Sequence, residues 1–227
     1  MELKELLQHH EMSLNDRQLE QLVLFADLLI EWNEKFNLTA ITDRQEIYLK
    51  HFADCLLLNN YPLGRSLADV GTGAGFPAIV LKISNPDLHV TMLEPNNKKI
   101  TFLNEVISRL GLKDIEAVNQ RSEDYARSHY ECFDTVTSRA VASLNILSEL
   151  CLPLVKTGGH FLAMKGPRGI EELQESENAL TRLSGEVLST DSFALDDQQR
   201  LIIDIIKKAP TNRRYPRNYS QIKKKPL

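Results

Sequence analysis

The stretch Leu67-Ala68-Asp69-Val70-Gly71-Thr72-Gly73-Ala74-Gly75-Phe76-Pro77 decides the fold. Its apolar start reads as a strand over Ser66–Val70. Alternating glycines then let the chain turn sharply and let a ligand approach the main chain. Pro77 is a residue favoured at the first helical position, and a helix is expected over Phe76–Ser84. A dinucleotide fingerprint needs G-x-G-x-x-G, with a pyrophosphate on the helix N-terminus. Here the third glycine comes one position early and Phe76 fills the expected slot, giving D-x-G-x-G-x-G. Such a loop need only admit a flat nucleoside and a zwitterionic amino acid.

Outward from the loop, strands alternate with helices. Further strands are expected at His89–Leu93, Ile115–Asn119, Phe133–Ser138 and Gly159–Met164. Helices are expected at Lys98–Leu110, closed by Gly111, and at Leu144–Leu154 and Ile170–Leu183. This alternation means βαβ units and a parallel sheet. The end breaks it: Glu186–Leu195 and Arg200–Ile206 are joined by Asp196-Asp197 with no helix between, so they should pair antiparallel. A parallel sheet with a terminal hairpin is a pattern of S-adenosylmethionine (SAM) methyltransferases; dinucleotide oxidoreductases mostly keep the alternation. The expected fold is α/β: a class I, Rossmann-like sheet, mostly parallel, with an antiparallel C-terminal hairpin and an N-terminal helical extension.

Residues 1–63 form that extension. Leu19, Leu22, Val23, Ala26 and Ile30 recur at helical spacing behind a cap at Asn15 or Asp16, and Asn33 to Thr42 breaks the pattern. Asp43 with Glu46 looks like a capping box before a second helix carrying Ile47, His51, Asp54, Cys55 and Leu58. Residues 64–208 are the expected core and 209–227 a basic tail.

Composition bounds the rest. The chain has 227 residues, 42% hydrophobic and 26% charged, which are ordinary globular values and exclude disorder, collagen and coiled coil for its bulk. The longest apolar run is Leu22–Ala26, too short to span a membrane. No apolar targeting segment opens the chain, so a cytoplasmic protein is expected. Cys55, Cys132 and Cys151 are too scattered for a disulfide framework or a zinc site, and buried thiols are the stronger reading. The net charge of −4 conceals a split: Lys207 to Leu227 carries eight basic side chains and no acidic one, leaving −12 on the rest. That suggests a polyanionic partner met at one end, against the plainer reading of a solvated tail.

Ligands of such sheets bind outside the carboxyl ends of the strands, so strand-end side chains are the site candidates. Glu94 ends the second strand, where a carboxylate accepts from ribose hydroxyls; capping the next helix is its plainer alternative. Ser122 and Glu123 follow the third strand and can lie near an adenine, or form a solvated turn. Arg139 follows the fourth strand and can bond guanine O6 or the SAM carboxylate. Lys165 ends the fifth and can hold a phosphate or the base. His51 is a weaker candidate, since a lone helical histidine is more often a bonded core residue. Trp32 reads as packing and Asn37 as a cap.

The reaction can be narrowed. Exocyclic-amine methylation commonly goes with Asp/Asn-Pro-Pro-Tyr after the fourth strand, where this chain has Ser138-Arg139-Ala140-Val141. Pyrimidine C5 methylation needs a nucleophilic cysteine, and Cys151 reads as core. Guanine N7 has a free lone pair and no proton to lose, so proximity and orientation suffice. A nucleotide-dependent oxidoreductase, an RNA-binding module without catalysis and a small-molecule methyltransferase stay open on the residues alone.

The whole length resembles the bacterial RsmG (GidB) family. The matching segments are Trp32-Asn33 with Asn37-Leu38-Thr39-Ala40-Ile41, His51-Phe52-Ala53-Asp54-Cys55-Leu56, the glycine loop through Pro77, and Lys98-Lys99-Ile100-Thr101-Phe102-Leu103. Arg121-Ser122-Glu123, Ser138-Arg139-Ala140, Leu152-Pro153-Leu154, Lys165-Gly166 and Tyr215-Pro216-Arg217 complete them. The resemblance implies SAM-dependent methylation of N7 of a guanine (guanine-527, in the 530 loop) of 16S ribosomal RNA. It implies SAM contacts at Gly71, Gly73, Phe76, Glu94, Ser122, Glu123 and Arg139; the expected catalytic residues are Arg139, Lys165 and His51, and no metal is expected. The implied partner is 16S rRNA or the small ribosomal subunit, met by a monomer. Departures are Cys55 for the family's serine, Ala78 for glycine, Pro95 after the second-strand acid, and Asn218-Tyr219-Ser220 after the terminal Tyr-Pro-Arg.

Overall fold

A computed structural model describes residues 2–196 and 198–227. Asp197, second residue of the expected hairpin turn, and Met1 lie outside the described residues. Helix α1 (Leu3–His9) leads to α2 (Asp16–Phe36). The Asn15 side chain accepts from Gln18 N at 3.0 Å and the Gln18 side chain accepts from Asn15 N at 2.9 Å, a reciprocal cap. The expected break at Asn33 falls at Asn37 instead. Trp32 and Phe36 pack together at 5.5 Å and prolong the helix, and Asn37, left-handed at φ 49°, stops it.

Asp43 caps α3 (Arg44–Ile47) by accepting from Glu46 N at 3.0 Å. The helix continues as a π turn, Tyr48–Ala53, then α4 (Asp54–Leu56) and a 3₁₀ turn, Leu57–Asn60. The π turn, a device frequent at functional sites, carries His51 and leads directly into Asp54.

The core follows as β1 (Ser66–Val70), α5 (Ala78–Ser84), β2 (His89–Leu93), α6 (Asn97–Leu110), β3 (Ile115–Val118), α7 (Ser122–Tyr125) and β4 (Phe133–Arg139). Then come α8 (Leu144–Cys151), β5 (Val155–Lys165), α9 (Gly169–Gln174), α10 (Glu177–Arg182), β6 (Gly185–Leu195), β7 (Gln198–Lys207) and α11 (Tyr219–Lys224). The sheet order is β3-β2-β1-β4-β5-β7-β6; β7 runs antiparallel to both β5 and β6, and the other pairs are parallel. The mostly parallel α/β sheet with an antiparallel terminal hairpin is thus the observed fold.

Several boundaries differ from expectation, among them the start of β5 at Val155, where Gly159 was expected. Helix α8 stops at Cys151 because Pro153 cannot continue an α-helix, and a 3₁₀ turn, Leu152–Leu154, replaces its end. The helix expected at Ile170–Leu183 is split into α9 and α10, where the buried Ser176 donates its hydroxyl to Glu172 O at 2.5 Å. Helix α5 begins at Ala78, with Pro77 outside it as the cap residue.

The N-terminal helices, α5 and α6 share one apolar core on one face of the sheet. Phe25 is fully buried and its ring meets Phe52 at 5.6 Å, Phe76 at 5.1 Å and Phe102 at 6.5 Å. Each such pair contributes roughly 0.5–1.5 kcal/mol beyond area burial, so α2 is fastened directly beneath the glycine loop. The other face is covered by α8, α10 and the chain's last segment, with Tyr215 and Ile222 buried.

That last segment is docked, and two of the basic side chains near the end of the chain serve the fold. Lys207 lies in β7, fully buried, and is paired with Glu131 at 3.1 Å. Arg217 is paired with the buried Glu149 carboxylate, Nε to Oε1 at 2.8 Å. Arg213, Arg214, Lys223, Lys224 and Lys225 remain exposed on this docked surface.

Candidate active site

The carboxyl ends of β1, β2 and β3 bring the expected cofactor residues together. Gly71 N–H donates to Leu93 O at 2.9 Å, tying the loop to the end of β2. Gly73 N–H donates to Glu94 Oε2 at 3.1 Å, and Asn96 N–H to Oε1 at 2.9 Å. Glu94 is buried, with Lys99 Nζ 3.6 Å away. Asn119 Nδ2 donates to Glu94 O at 3.1 Å, which sets the loop leading to Ser122 and Glu123 beside the same edge. Both of those residues are buried, and burial raises the Glu123 carboxyl above its ordinary range.

The loop fits a SAM-sized guest on two observations. A Cβ placed on Gly73 would meet nothing closer than 3.9 Å, so open space lies above its backbone. Asp69, fully buried, accepts from Thr72 Oγ1 at 2.6 Å and Ala78 N at 3.3 Å through Oδ2, while Oδ1 has no partner. Burial pushes that carboxyl up to about 7. An acceptor without a donor, beside an open glycine, is the arrangement a polar ligand completes.

Arg139, last residue of β4, lies against the extension. Its Nη1 donates to Asp54 Oδ2 at 2.9 Å and Lys50 O at 3.3 Å, and its carbon centre sits 5.1 Å from the Phe76 ring centroid. Nη2 stands 3.2 Å from His51 Nδ1. Nδ1 also lies 3.2 Å from Lys50 O, and Nε2 lies 3.1 Å from Thr39 Oγ1. The His51 ring stacks on Phe76 at 4.4 Å, so the buried Phe76 side chain acts as packing under the site. Burial first, and Arg139 second, lower the His51 pKa to about 3. His51 is therefore neutral at physiological pH and holds Arg139 in place.

Lys165, at the end of β5, donates to Ala142 O at 2.7 Å and Glu172 Oε2 at 2.8 Å. Asp54 is shared: its Oδ1 accepts from Arg200 Nε at 3.1 Å. Lys50, His51, Asp54, Arg139, Lys165 and Arg200 line one open cleft of about 550 Å³, with Glu172 on its wall. Arg139, Lys165 and His51 thus meet in one place. Asp54, Arg200 and Glu172 were missed from sequence; their signal was the helical pairing of Asp54 with His51 and the position of Arg200 in the terminal hairpin.

Residues 18–202 match the GidB family, described as rRNA small subunit methyltransferase G. The chain belongs to the GidB family. Relatives include the ribosomal RNA small subunit methyltransferase G of Staphylococcus carnosus (strain TM300), 46% identical over 99% of this chain and 97% of that protein. The protein of the same name from Staphylococcus aureus (strain Newman) is also 46% identical, over the same shares. Among solved structures, M. jannaschii TYW2 in complex with AdoMet has a TM-score of 0.59 at 13% identity, covering 75% of this chain and 80% of that one. Precorrin-6y C5,15-methyltransferase from Geobacter metallireducens has a TM-score of 0.54 at 13% identity, over 69% and 88%. These likenesses establish the class I fold. As a GidB-family methyltransferase the chain uses SAM as its cofactor, and the oxidoreductase reading is closed. Among the described residues no helix is long and apolar enough to cross a membrane.

The depressed His51 has a measurable consequence. The unfolded chain binds a proton at His51 below about pH 6.5, and the folded chain does not until about pH 3. Its contribution to stability is therefore complete above pH 6.5 and lost as pH falls, by roughly 2 kcal/mol at pH 5. Asp69, raised from 3.8 to about 7, has the opposite slope over pH 4–7, so the two partly cancel in the wild type. Comparing His51→Gln with wild type by denaturant unfolding isolates the histidine: the variant should lose about 2 kcal/mol less between pH 7 and pH 5. Parallel losses would mean that His51 is not held neutral.

Proposed function

We propose that the chain transfers the methyl group of SAM to N7 of a guanine of 16S rRNA, guanine-527 in the 530 loop, as a cytoplasmic monomer. The observation that carries the target assignment is the cleft itself. It is cation-rich: both of its carboxylates are paired with cations, and burial lowers the His51 pKa so far that the ring is a weak base, which suits the cleft to orienting a nucleophile rather than to removing a proton. N7 needs no proton removed, and its lone pair attacks once it is aligned.

Gly71, Gly73, Glu94, Ser122 and Glu123 hold the cofactor at the ends of β1 to β3. When bound, SAM supplies an electrophilic methyl on a sulfonium. Arg139 and Lys165 hold the base at the ends of β4 and β5, on the adjoining half of the same edge. Phe76 and His51 fix the Arg139 guanidinium, and Asp54 accepts from both Arg139 and Arg200. Mapping N7-methylguanine in 16S rRNA from cells lacking the protein tests the whole reading. The modification should vanish from guanine-527; if it persists there, the assignment is wrong.

The exposed cations of the docked C-terminal surface are assigned to RNA phosphates. Lys223, Lys224 and Lys225 are exposed on α11 and beyond, whereas Ile222 anchors the helix. Substituting all three with Ala should leave the fold intact. Each phosphate contact removed should flatten the dependence of log affinity on log salt by roughly 0.7–0.9. An unchanged slope would leave these lysines without an RNA role.

A further inference from the structure

We propose that Glu172, together with Lys165, reads the Watson–Crick edge of the target guanine. This rests on the guanine reading above and adds the residue that selects the base. Two carboxylates line the cleft, Asp54 and Glu172. Asp54 is fully engaged, one oxygen on Arg139 and the other on Arg200. Glu172 is not. Its Oε2 accepts from Lys165 Nζ at 2.8 Å and from Leu144 N at 2.9 Å, while Oε1 takes no protein donor among the described residues. Lys165 gives two hydrogens, to Ala142 O and Glu172, and an ammonium has a third.

The cleft wall therefore presents a free acceptor directly beside a free donor. Guanine presents the complement in sequence around its edge: the N2 amine and N1–H donate, O6 accepts, and N7 follows. Glu172 Oε1 takes the N2 and N1 hydrogens and Lys165 takes O6. N7 is then the next hydrogen-bonding atom round the edge, beyond C5, unbonded and free to attack. Adenine offers an acceptor at N1 and a donor at N6, the reverse order, and would set a lone pair against the carboxylate. A site built to bond a donor rejects the analogue that lacks it far more strongly than a shape-based pocket does.

A substrate–enzyme cycle tests this. Small-subunit particles are reconstituted with guanine or inosine at the target position; inosine keeps N1–H, O6 and N7 and lacks only the 2-amine. Methyl transfer to each is measured for wild type and Glu172→Gln, which keeps an oxygen for Leu144 N. Any intrinsic difference in N7 reactivity enters both enzymes equally and cancels. Wild type should prefer guanine by about tenfold more than the variant does, the cost of one unpaired polar group. Where circular dichroism shows Glu172→Gln unfolded, Glu172→Asp replaces it. Aspartate keeps the charge but withdraws the oxygen by one methylene, and the same loss of preference is expected. Equal preferences in both enzymes would overturn the assignment and leave Glu172 as the cap of α8. No wild-type transfer to the guanine particle overturns the function proposed above, and this assignment with it.

Discussion

Replacing Arg139 with Ala should lower methyl transfer about 10²–10³-fold at saturating cofactor and RNA, with the chain still folded. The side chain is held from four sides: Asp54, Lys50 O, His51 and the face of Phe76. So many constraints on one guanidinium fix its direction, and orientation is most of what an N7 transfer asks of an enzyme. The substitution strands little charge, because Asp54 keeps Arg200 Nε at 3.1 Å. The stability cost should therefore stay near that of one unsatisfied buried group, about 1–3 kcal/mol. Arg139→Lys should not restore the rate, since an ammonium cannot reproduce the planar fork that meets Asp54 and His51 together. Single-turnover transfer with a thermal melt on the same sample separates catalysis from folding. Calorimetry with SAM adds a further division: an unchanged Kd places the guanidinium on the target, and a raised Kd places it on the cofactor carboxylate. Turnover close to wild type would remove Arg139 from the site.

The two halves of the site differed in how far the sequence exposed them. The cofactor half was legible because it is local. Asp69 to Gly75 and Glu94 sit at ends of strands whose alternation with helices is visible in one dimension, and β1 and β2 fall at the expected residues. The target half is assembled from distant positions. Asp54 meets Arg139 across 85 positions and Arg200 across 146, so no spacing rule links them. Which cations of the basic end serve the fold was hidden for the same reason. A run of lysines and arginines reads locally as solvated. The partner that fixes Arg217, the fully buried Glu149, lies 68 positions away inside a helix. Charge counted along the chain overstated the free cations, because Lys207 and Arg217 serve the fold.

Gly73→Ala and Gly75→Ala should fail in opposite ways, and the contrast tests the cofactor site without requiring turnover. Both glycines have positive φ, 62° and 95°, so alanine is strained at either, by about 1–2 kcal/mol for a left-handed residue. What the new methyl meets differs. At Gly75 it would lie 2.3 Å from Ile79 Cδ1, 2.9 Å from Ile79 Cγ1 and 3.1 Å from Leu103 Cδ2. Those side chains are fully buried in the core under the loop, so overpacking adds about 1–3 kcal/mol to the strain. Gly75→Ala should melt several degrees lower and bind SAM poorly only because the loop is displaced. At Gly73 the nearest atoms are 3.9 Å away, Gly71 O and Lys99 Nζ, and the methyl would project into open space beside Glu94. If that space is where SAM lies, Gly73→Ala should cost the fold little more than the φ strain. It should still weaken SAM binding about 100-fold, because the methyl and the ligand compete for one volume. Calorimetric titration of both variants, each with its melting curve, reads the two effects apart. A Gly73→Ala protein that binds SAM as tightly as wild type would move the cofactor away from this loop.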